Sequence, residues 1–398
     1  MVIETSSMVA ATTISGPYFS LIQQWLRQSR PHMKHNPVVY CMDQSAHEAL
    51  ASNELVDARL PRADQINAPN RRAYWVRRLS VLRGLFDAQG YVLHSDADAL
   101  WLRDVTELMT MADIVFSSEH GLPKDIVERR GFVLCCGLFA VHKTPATERF
   151  FDLWEADCRR HSDDQIALNR LIDRCASPWV AFEHLGRTCF RASADFGAGP
   201  VSIVALGVDL VCREHAFDAP PGAFVAHPFF ERRFHGAFVA IYAYLLDRGA
   251  IETIDIPEPP TGWKRRDWAI LCLYRQLGDA IPQKCLEHAA HLALRSGDLD
   301  LARSLLASTE PEGDSLYDLY QIQVALRETA AARETLARLL RSTTISDRML
   351  LPILRATLAD RQFGAAFKLA GSTAVHMMRP DRLYGAARRF YLRKLGAI

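Results

Sequence analysis

The sequence predicts an α/β domain with a mostly parallel sheet, followed by an all-α domain. Three observations lead to this prediction. Strand-like and helix-like segments alternate through residues 1–256, and such alternation favours a parallel sheet with helices on both faces. A proline-rich segment at residues 257–262 is typical of a linker. Everything beyond it has helical periodicity, so we expect domains at residues 1–256 and 263–398.

The expected elements follow from hydrophobic periodicity and from turn residues. Strands are expected at residues 8–14, 37–42, 91–96, 114–116, 132–141, 201–206 and 223–226. Helices are expected at residues 17–28, 73–89 and 145–161. Gly90 is the predicted stop of the second helix. The strand that follows it therefore starts at once and ends in two carboxylates.

Composition narrows the classes of function. The chain has 398 residues, of which 49% are apolar and 23% charged, as in ordinary globular proteins. A formal charge of +1 does not suggest nucleic-acid binding. Nine scattered cysteines without a Cys-x-x-Cys pair favour a reducing cytosol. The first residues lack the pattern of a signal peptide, so we expect a cytoplasmic protein, attached at most to a membrane surface.

Residues 91–101, YVLHSDADALW, contain the most informative pattern. An apolar run leads into Asp96 and Asp98, as expected for a buried strand that delivers both side chains to its carboxyl end. Ligands bind at such strand ends in open α/β sheets. Two adjacent carboxylates repel unless a cation lies between them, and Mg²⁺ or Mn²⁺ prefers oxygen ligands. The pattern therefore predicts a metal–diphosphate site, although an Asp-rich turn is the simpler alternative.

A phosphatase of the haloacid-dehalogenase type is a different interpretation of the same motif. Those enzymes also place Asp-x-Asp at a strand end and use one aspartate as the nucleophile. Their motif usually follows the first strand, whereas two expected strands precede Asp96 here. The position favours the metal–diphosphate interpretation, by analogy of fold.

The helical half contains a weak repeat. Small and apolar residues recur at similar spacing in three segments: Leu299, Ala302, Leu305 and Leu306; Thr329, Ala332, Thr335 and Leu336; Phe363, Ala366, Leu369 and Ala370. The alanines lie 30 and 34 residues apart, near the period of tetratricopeptide-like helix pairs. We predict a short α-solenoid, and a plain helical bundle is the alternative.

Three segments together resemble a known family. Residues 77–103 place a basic helix, a glycine, a strand, Asp-x-Asp and a tryptophan in order. Residues 131–142 (GFVLCCGLFAVH) and 162–169 (SDDQIALN) are similar to two later landmarks. The pattern resembles the GT-A-fold retaining nucleotide-diphospho-sugar transferases of glycosyltransferase families 8 and 77. The resemblance covers roughly residues 8–245.

The resemblance implies a metal centre. Asp96 would contact the donor ribose and the metal, and Asp98 would bind the metal and the diphosphate. His227 fits the third protein ligand, with His235 as the competing candidate. The implied ion is Mn²⁺ or Mg²⁺. A surface or hydrogen-bonded histidine is the simpler interpretation of His227.

Roles for the donor follow in the same way. The resemblance implies that Asp164 and Gln165 lie beside the anomeric carbon, although this segment is also a good helix cap. Arg78, or alternatively Arg77, would reach the phosphates, unless both belong to a solvated helix face. Retaining transfer in this fold is thought to use the diphosphate oxygen to remove the acceptor proton, so no strong protein base is required.

Three further residues are predicted from position alone. Thr12 and Thr13 end the first strand, where the resemblance places the nucleobase, and Asp43 ends the second. Two departures from the pattern are notable. Cys135-Cys136-Gly137 replaces the usual Asn-x-Gly, which leaves the donor sugar open, and Asp104 is followed by valine rather than proline.

The predicted function is metal-dependent transfer of a sugar, with a UDP-sugar as favoured donor. The acceptor is open among a glycan, a lipid carrier, a protein and a small molecule. The alternative is a degenerate transferase domain that serves a helical-repeat binding protein. Residues 379–398 mix basic and apolar side chains, which suggests either a capping helix with a solvated basic face or contact with an anionic membrane or an acidic partner.

Overall fold

The computed structural model describes residues 8–15, 19–68, 70–228, 234–247, 256–309, 311–312 and 314–341. Its strands are β1 Ala10–Ile14, β2 Val38–Cys41, β3 Asp57–Arg59, β4 Tyr91–Ser95, β5 Leu100–Trp101, β6 Ile114–Glu119, β7 Val133–His142, β8 Val180–His184, β9 Arg187–Asp195, β10 Pro200–Leu206, β11 Val211–Cys212 and β12 Val225–Ala226. Its helices are α1 Phe19–Ser29, α2 Gln44–Leu50, α3 Arg71–Gln89, α4 Lys124–Arg130, α5 Pro145–His161, α6 Asp164–Cys175, α7 His235–Asp247, α8 Arg265–Leu277, α9 Leu286–Ser296, α10 Leu299–Ala307, α11 Asp314–Ala325 and α12 Thr329–Arg341.

The strands of the described residues form a nine-stranded sheet and a three-stranded sheet. The large sheet has the order β3-β2-β1-β4-β7-β6-β10-β9-β8. Strand β1 pairs in parallel with β2 and β4, and β6 pairs in parallel with β10. Strands β7 and β9 run in the opposite direction. The predicted mostly parallel α/β sheet is confirmed. The carboxyl ends of β1, β2, β4 and β6 lie at the same end of the sheet, which we call the carboxyl edge.

Aromatic side chains fill the space between the sheet and helices α3, α5 and α6. The rings of Phe116 and Phe139 stack at a centroid distance of 4.9 Å. Trp154 on α5 packs edge-on against both of them. All three are fully buried. Burying one such side chain contributes about 1.5–3 kcal/mol, so this layer holds the strands firmly beneath the edge where they end.

Helix α3 has clear signals at both ends. Its N-cap, Asn70, accepts a hydrogen bond from the backbone N–H of Ala73 at 3.0 Å. Its C-cap, Gly90, has φ 76°, in the left-handed region that favours glycine. The chain leaves the helix there and enters β4 at the next residue, Tyr91. The helix stops at the predicted glycine.

Several short elements were not predicted. Strand β3 at the sheet edge makes β4 the fourth strand in the chain rather than the third. The predicted strand at residues 114–116 continues to Glu119. Its extra residues are polar, but Ser117 and Ser118 are buried, and the Ser118 hydroxyl donates to the Leu206 carbonyl at 2.6 Å. Hydrophobic periodicity misses these strand residues because they are polar, although hydrogen bonds of their side chains allow them to be buried.

The chain divides into two compact units, one up to Leu273 and one from Tyr274. The described part of the second unit is helical, as predicted, and pairs α9 with α10 and α11 with α12. Ala302 and Ala332 are buried, as close helix packing requires. The third repeat segment and the basic residues 379–398 lie outside the described residues. The tetratricopeptide-like period and the boundary at residues 257–262 therefore stay predictions.

No helix among the described residues combines the length and the apolar composition needed to cross a bilayer.

Candidate functional site

Asp96, Asp98 and His227 lie together at the carboxyl end of β4. One potential ligand atom from each lies within 4.8 Å of the others. The Oδ1 atom of Asp98 is 3.2 Å from Nε2 of His227. The predicted strand ends thus converge on one point.

The small sheet explains how His227 reaches the two aspartates. Strand β5 follows the Asp-x-Asp turn directly and pairs antiparallel with β12, with Leu100 opposite Ala226. His227 is the next residue after β12, and its backbone N–H donates to the Cys212 carbonyl at 2.8 Å. The contact between Asp98 and His227, which lie more than a hundred residues apart in the sequence, therefore depends on two short strand pairings, β5 with β12 and β12 with β11.

The turn that holds the aspartates is fixed by buried groups. The N–H of Asp96 donates to the Gly137 carbonyl at 2.7 Å. Beneath it, the indole N–H groups of Trp25 and Trp101 donate to the Ser95 hydroxyl at 3.3 and 3.1 Å. Since both rings are fully buried, the turn is supported from below, and its two carboxylates, Asp96 and Asp98, stay 29% and 30% exposed.

Gly137 on β7 leaves the space that the imidazole of His227 occupies. A Cβ atom at this position would lie 2.0 Å from Cε1 of His227. Carbon atoms do not approach so closely, and the ring is buried, with 6% of the residue exposed. A glycine is therefore required here by contact rather than by backbone conformation.

Arg78 joins Asp96 to Asp164 inside the protein. Its Nη1 donates to Oδ1 of Asp96 at 2.8 Å, and its Nη2 contacts Oδ2 of Asp164. Only 3% of Arg78 is exposed, so it does not belong to a solvated helix face. Arg77 instead contacts the backbone carbonyl of Ile66. Of the two predicted arginines, Arg78 is the one in the site.

The charges at Asp96 and Asp164 differ in how well they are supported. Burial raises the pKa of Asp96, but the Arg78 guanidinium and a hydrogen bond from His94 outweigh it, and the pKa lies well below its usual range. Burial raises the pKa of Asp164, and Arg78 opposes this effect. Asp96 is therefore firmly ionised, whereas Asp164 depends on its single arginine.

Asp164 and Gln165 begin helix α6. The N-cap is Asp163, whose Oδ1 accepts from the N–H of Ile166 at 2.9 Å. Asp164 is buried, and its carbonyl accepts from the indole N–H of Trp154 at 2.8 Å. The Gln165 amide donates to Oε1 of Glu119 and to the Leu122 carbonyl. The two predicted catalytic residues are anchored to different partners.

Glu119 and Arg213 were not predicted, yet they link the two sides of the site. Nη2 of Arg213 lies 2.5 Å from Oε2 of Glu119. Its Nη1 lies 3.0 Å from Nδ1 of His227 and donates to the His227 carbonyl at 3.0 Å. A continuous chain of contacts therefore runs from Gln165 through Glu119 and Arg213 to His227. Glu119 ends β6 and Arg213 follows β11, so the strand-end criterion finds both once these strands are known.

The proton on His227 is held by Asp98. Burial and Arg213 lower the pKa of His227, but the Asp98 carboxylate outweighs them and raises the pKa to about 10. A metal ligand must present a neutral nitrogen. A metal ion bound at this imidazole would therefore displace the proton that Asp98 stabilises there.

The remaining predicted residues lie at the same sheet edge or outside the described side chains. Thr12 is fully buried, and the Thr13 hydroxyl lies 3.0 Å from the hydroxyl of Tyr74. Asp43 caps α2, accepting from the N–H of Ala46 at 2.9 Å. The side chain of His235 is outside the described residues. Donor contacts by the two threonines and Asp43 stay predictions.

The donor set fits a divalent cation. Two carboxylates and an imidazole suit Mn²⁺ and related ions. The charges around it leave an acidic excess, since four carboxylates face two guanidiniums: Asp96, Asp98, Asp164 and Glu119 against Arg78 and Arg213. With His227 protonated, as its raised pKa favours, the excess is one negative charge, and loss of that proton on metal binding would make it two, the charge of one divalent ion.

Comparison with known protein families gives a match to part of the chain. The sequence model of the nucleotide-diphospho-sugar transferases matches residues 32–200. The match includes Arg78, Asp96, Asp98, Asp164 and Gln165, whereas His227 lies beyond it. No curated protein sequence matches the chain.

Solved structures that match part of the chain include three glycosyltransferases. The bifunctional glycosyltransferase WbbM is 12% identical over 42% of this chain and 38% of its own, with a TM-score of 0.32. The galactosyltransferase LgtC, solved with donor and acceptor sugar analogues, is 13% identical over 41% and 70%, with a TM-score of 0.29. GlyE of Streptococcus pneumoniae TIGR4 is 14% identical over 42% and 43%, with a TM-score of 0.30.

The present chain thus spans less than half the length of WbbM and of GlyE. The α/β unit contains the sheet, the strand-end carboxylates and the matched residues together. Residues 32–200 are thus similar in sequence to the nucleotide-diphospho-sugar transferases.

Proposed function

We propose that the protein transfers a sugar from a nucleotide diphosphate sugar with the help of Mn²⁺ or Mg²⁺, and that a UDP-sugar is the donor. The observation that carries this proposal is the meeting of Asp96, Asp98 and His227 within 4.8 Å. In this proposal the three side chains hold the ion. The bound ion would neutralise charge on the departing nucleoside diphosphate.

The buried arginine Arg78 holds two acidic side chains of the site, Asp96 and Asp164. Arg78 keeps Asp96 ionised and orients Asp164 from the same guanidinium. Because Asp164 is buried and ion-paired, it is poorly suited to attack a sugar as a free nucleophile. For the retaining transfer that the resemblance implies, this disfavours a covalent glycosyl–enzyme intermediate and favours entry of the acceptor on the face that the leaving group vacates, which needs no strong protein base.

Gln165 is the second residue that we place beside the donor sugar. Its amide nitrogen is occupied by Glu119 and by the Leu122 carbonyl. Holding the amide in this way fixes its orientation before a substrate arrives, which reduces the entropy lost on the way to the transition state. Its proposed role is to position the sugar, not to transfer a proton.

The proposal extends to the compartment of the protein and to the class of its acceptor. We propose a cytoplasmic enzyme, which the nine free thiols support. Candidate acceptors are a glycan, a lipid carrier, a protein or a small molecule, and nucleic acid is not among them because the net charge is only +1. Cys135 occupies the place of an amide in the family pattern, so the donor sugar need not be that of other members.

A thermal-shift titration tests the proposal. The purified protein would be heated with UDP, GDP and several nucleotide sugars, each with Mn²⁺ and with a chelator. A ligand at a hundred times its Kd adds about 2.7 kcal/mol to the free energy of unfolding. We expect a metal-dependent shift with UDP or a UDP-sugar. No shift with any nucleotide would contradict the proposal and favour a degenerate transferase domain that serves the helical unit.

A further inference from the structure

His94 is a buried polar side chain for which packing alone gives no reason. It lies on β4, two residues before Asp96, and is fully buried. Its ring packs against that of Phe139 at a centroid distance of 5.1 Å. Nδ1 has no hydrogen-bond partner among the described residues. Leaving a buried polar atom unpaired lowers stability, and an apolar side chain would avoid that loss.

The other ring nitrogen has a defined task. Nε2 lies 2.9 Å from Oδ1 of Asp96. An ionised carboxylate can only accept, so the proton of the neutral ring must be on Nε2 and the lone pair on Nδ1. The single hydrogen of the imidazole therefore points at the first carboxylate of the Asp-x-Asp motif.

Two donors together occupy one oxygen of that carboxylate. Oδ1 accepts from His94 and from Nη1 of Arg78, which lies 2.8 Å away. An oxygen of this type has two lone-pair directions, so both are used. The plane of the Asp96 carboxylate is thereby fixed, and Oδ2 is left for an external ligand. Each donor is itself buried, which makes the arrangement rigid.

We propose that His94 is a positioning residue that, with Arg78, orients the Asp96 carboxylate for the metal ion. This inference rests on the proposed function, because it requires Asp96 to be a ligand. Outer partners of ligating side chains commonly affect metal affinity about 10- to 100-fold. The unpaired Nδ1 lowers the stability of the fold, and the role of Nε2 in metal binding explains why a histidine is present there despite this loss.

The test compares three variants by titration of Mn²⁺, with free Mn²⁺ measured by electron paramagnetic resonance. His94→Phe removes the donor and keeps an aromatic ring against Phe139. His94→Gln keeps an N–H at the position of Nε2. His142→Phe is the matched control, because Nε2 of His142 donates to the Met109 carbonyl at 2.9 Å, and His142 pairs with Tyr91 at the other end of β4.

We expect His94→Phe to raise the Kd for Mn²⁺ about 10- to 100-fold without lowering the melting temperature. His94→Gln should recover most of the affinity, and His142→Phe should bind Mn²⁺ as the wild type does. A recovery by glutamine cannot come from packing, because phenylalanine is the better match to the ring.

Wild-type affinity in His94→Phe would overturn the positioning role alone. Equal losses in His94→Phe and His94→Gln, together with a lower melting temperature in both, would make His94 a structural residue and also overturn it. If His94→Phe does not fold, His94→Leu takes its place in the same comparison. Failure of the wild type to bind Mn²⁺ would instead overturn the metal proposal itself, and this inference with it.

Discussion

Two clusters of carboxylates and arginines in the amino-terminal unit differ in burial and in charge balance. The helix cluster, on α4 and α6, contains Asp125, Asp173, Arg129 and Arg170. Its two acids face two arginines, and Arg129 is 54% exposed. The site cluster contains Asp96, Asp98, Asp164, Glu119, Arg78 and Arg213. Its four acids face two arginines, and Arg78 is 3% exposed.

The difference separates a surface feature from the proposed binding site. Exposed ion pairs are solvated whether or not they meet, so the helix cluster needs no further partner. Buried or half-buried carboxylates without enough cations lower the stability of the fold. Even with His227 protonated, the four acids of the site cluster exceed its cations by one, so a further positive charge is favoured where the strands end. Charge balance together with burial points to function better than the number of ion pairs does.

Removing a proposed ligand should give the largest effect. Asp98→Ala takes away one carboxylate of the site cluster and the partner of His227. Because the ion would stabilise developing charge by several kcal/mol, we expect metal-dependent donor turnover to fall at least about 10³-fold. Release of UDP from a UDP-sugar measures this, and circular dichroism should show an unchanged fold. Undiminished turnover in this variant would remove the metal hypothesis.

Cutting the chain of contacts that joins Gln165 to Arg213 should have a smaller effect. Glu119→Gln keeps the size of the side chain but turns one of its two accepting oxygens into an NH2 group, which can accept from neither Gln165 nor Arg213. We expect kcat to fall about 10- to 100-fold through misplacement of Gln165, with little change in Mn²⁺ affinity. If Mn²⁺ affinity fell as steeply as kcat, Glu119 would belong to the metal centre instead.

Adding a methyl group next to His227 should weaken metal binding without changing the charge of any residue. Gly137→Ala would place Cβ 2.0 Å from Cε1 of the ring and displace it. We expect the Kd for Mn²⁺ to rise about tenfold or more. Gly84→Ala is the matched control, because a Cβ there meets nothing within 4 Å and alanine favours the helix. Equal Mn²⁺ affinity in both variants would show that His227 is not a ligand.

Metal binding should depend on pH because it competes with a proton. The pKa of His227 is raised to about 10, so the protonated pair with Asp98 stabilises the metal-free fold below the ordinary histidine pKa and is lost as pH rises through about 10. Mn²⁺ affinity should then increase with pH, by up to about tenfold per unit for one displaced proton. Calorimetry in buffers of different ionisation enthalpy counts that proton, and a pH-independent Kd would contradict its displacement.

The helix cluster should respond least. Asp125→Asn removes a carboxylate that contacts both Arg129 and Arg170. Because these groups are exposed, we expect the melting temperature to change by about 2 °C or less and Mn²⁺ affinity and donor turnover to stay as in the wild type. A loss of activity comparable to that of Asp98→Ala would erase the distinction between the clusters.

The sequence predicts the part of the site that follows from local pattern. Asp96 and Asp98 stand after an apolar strand, and Gly90 marks where the preceding helix ends. The resemblance to a family adds Arg78 and His227, which local pattern leaves ambiguous. Burial of Arg78 then distinguishes it from Arg77. Roles in donor binding stay predictions, since geometry shows proximity and not turnover.

Other parts of the site depend on long-range pairing that a single sequence does not reveal. Arg213 follows β11, a strand of two residues, and its partner Glu119 ends a strand whose last residues are polar. Periodicity is too weak a signal in such short or polar segments. His94 is visible in the sequence, but its role depends on one hydrogen bond to Asp96. These residues require the structure.

The most direct test of the account is a crystal structure of the protein with Mn²⁺ and UDP, using anomalous scattering to locate the ion. The account predicts an anomalous peak bonded to Asp98 and His227, at roughly the 2.0–2.6 Å distances of such ligands, with the diphosphate beside it. A peak elsewhere, or nucleotide bound at this edge of the sheet with no ion between the aspartates, would contradict the central claim.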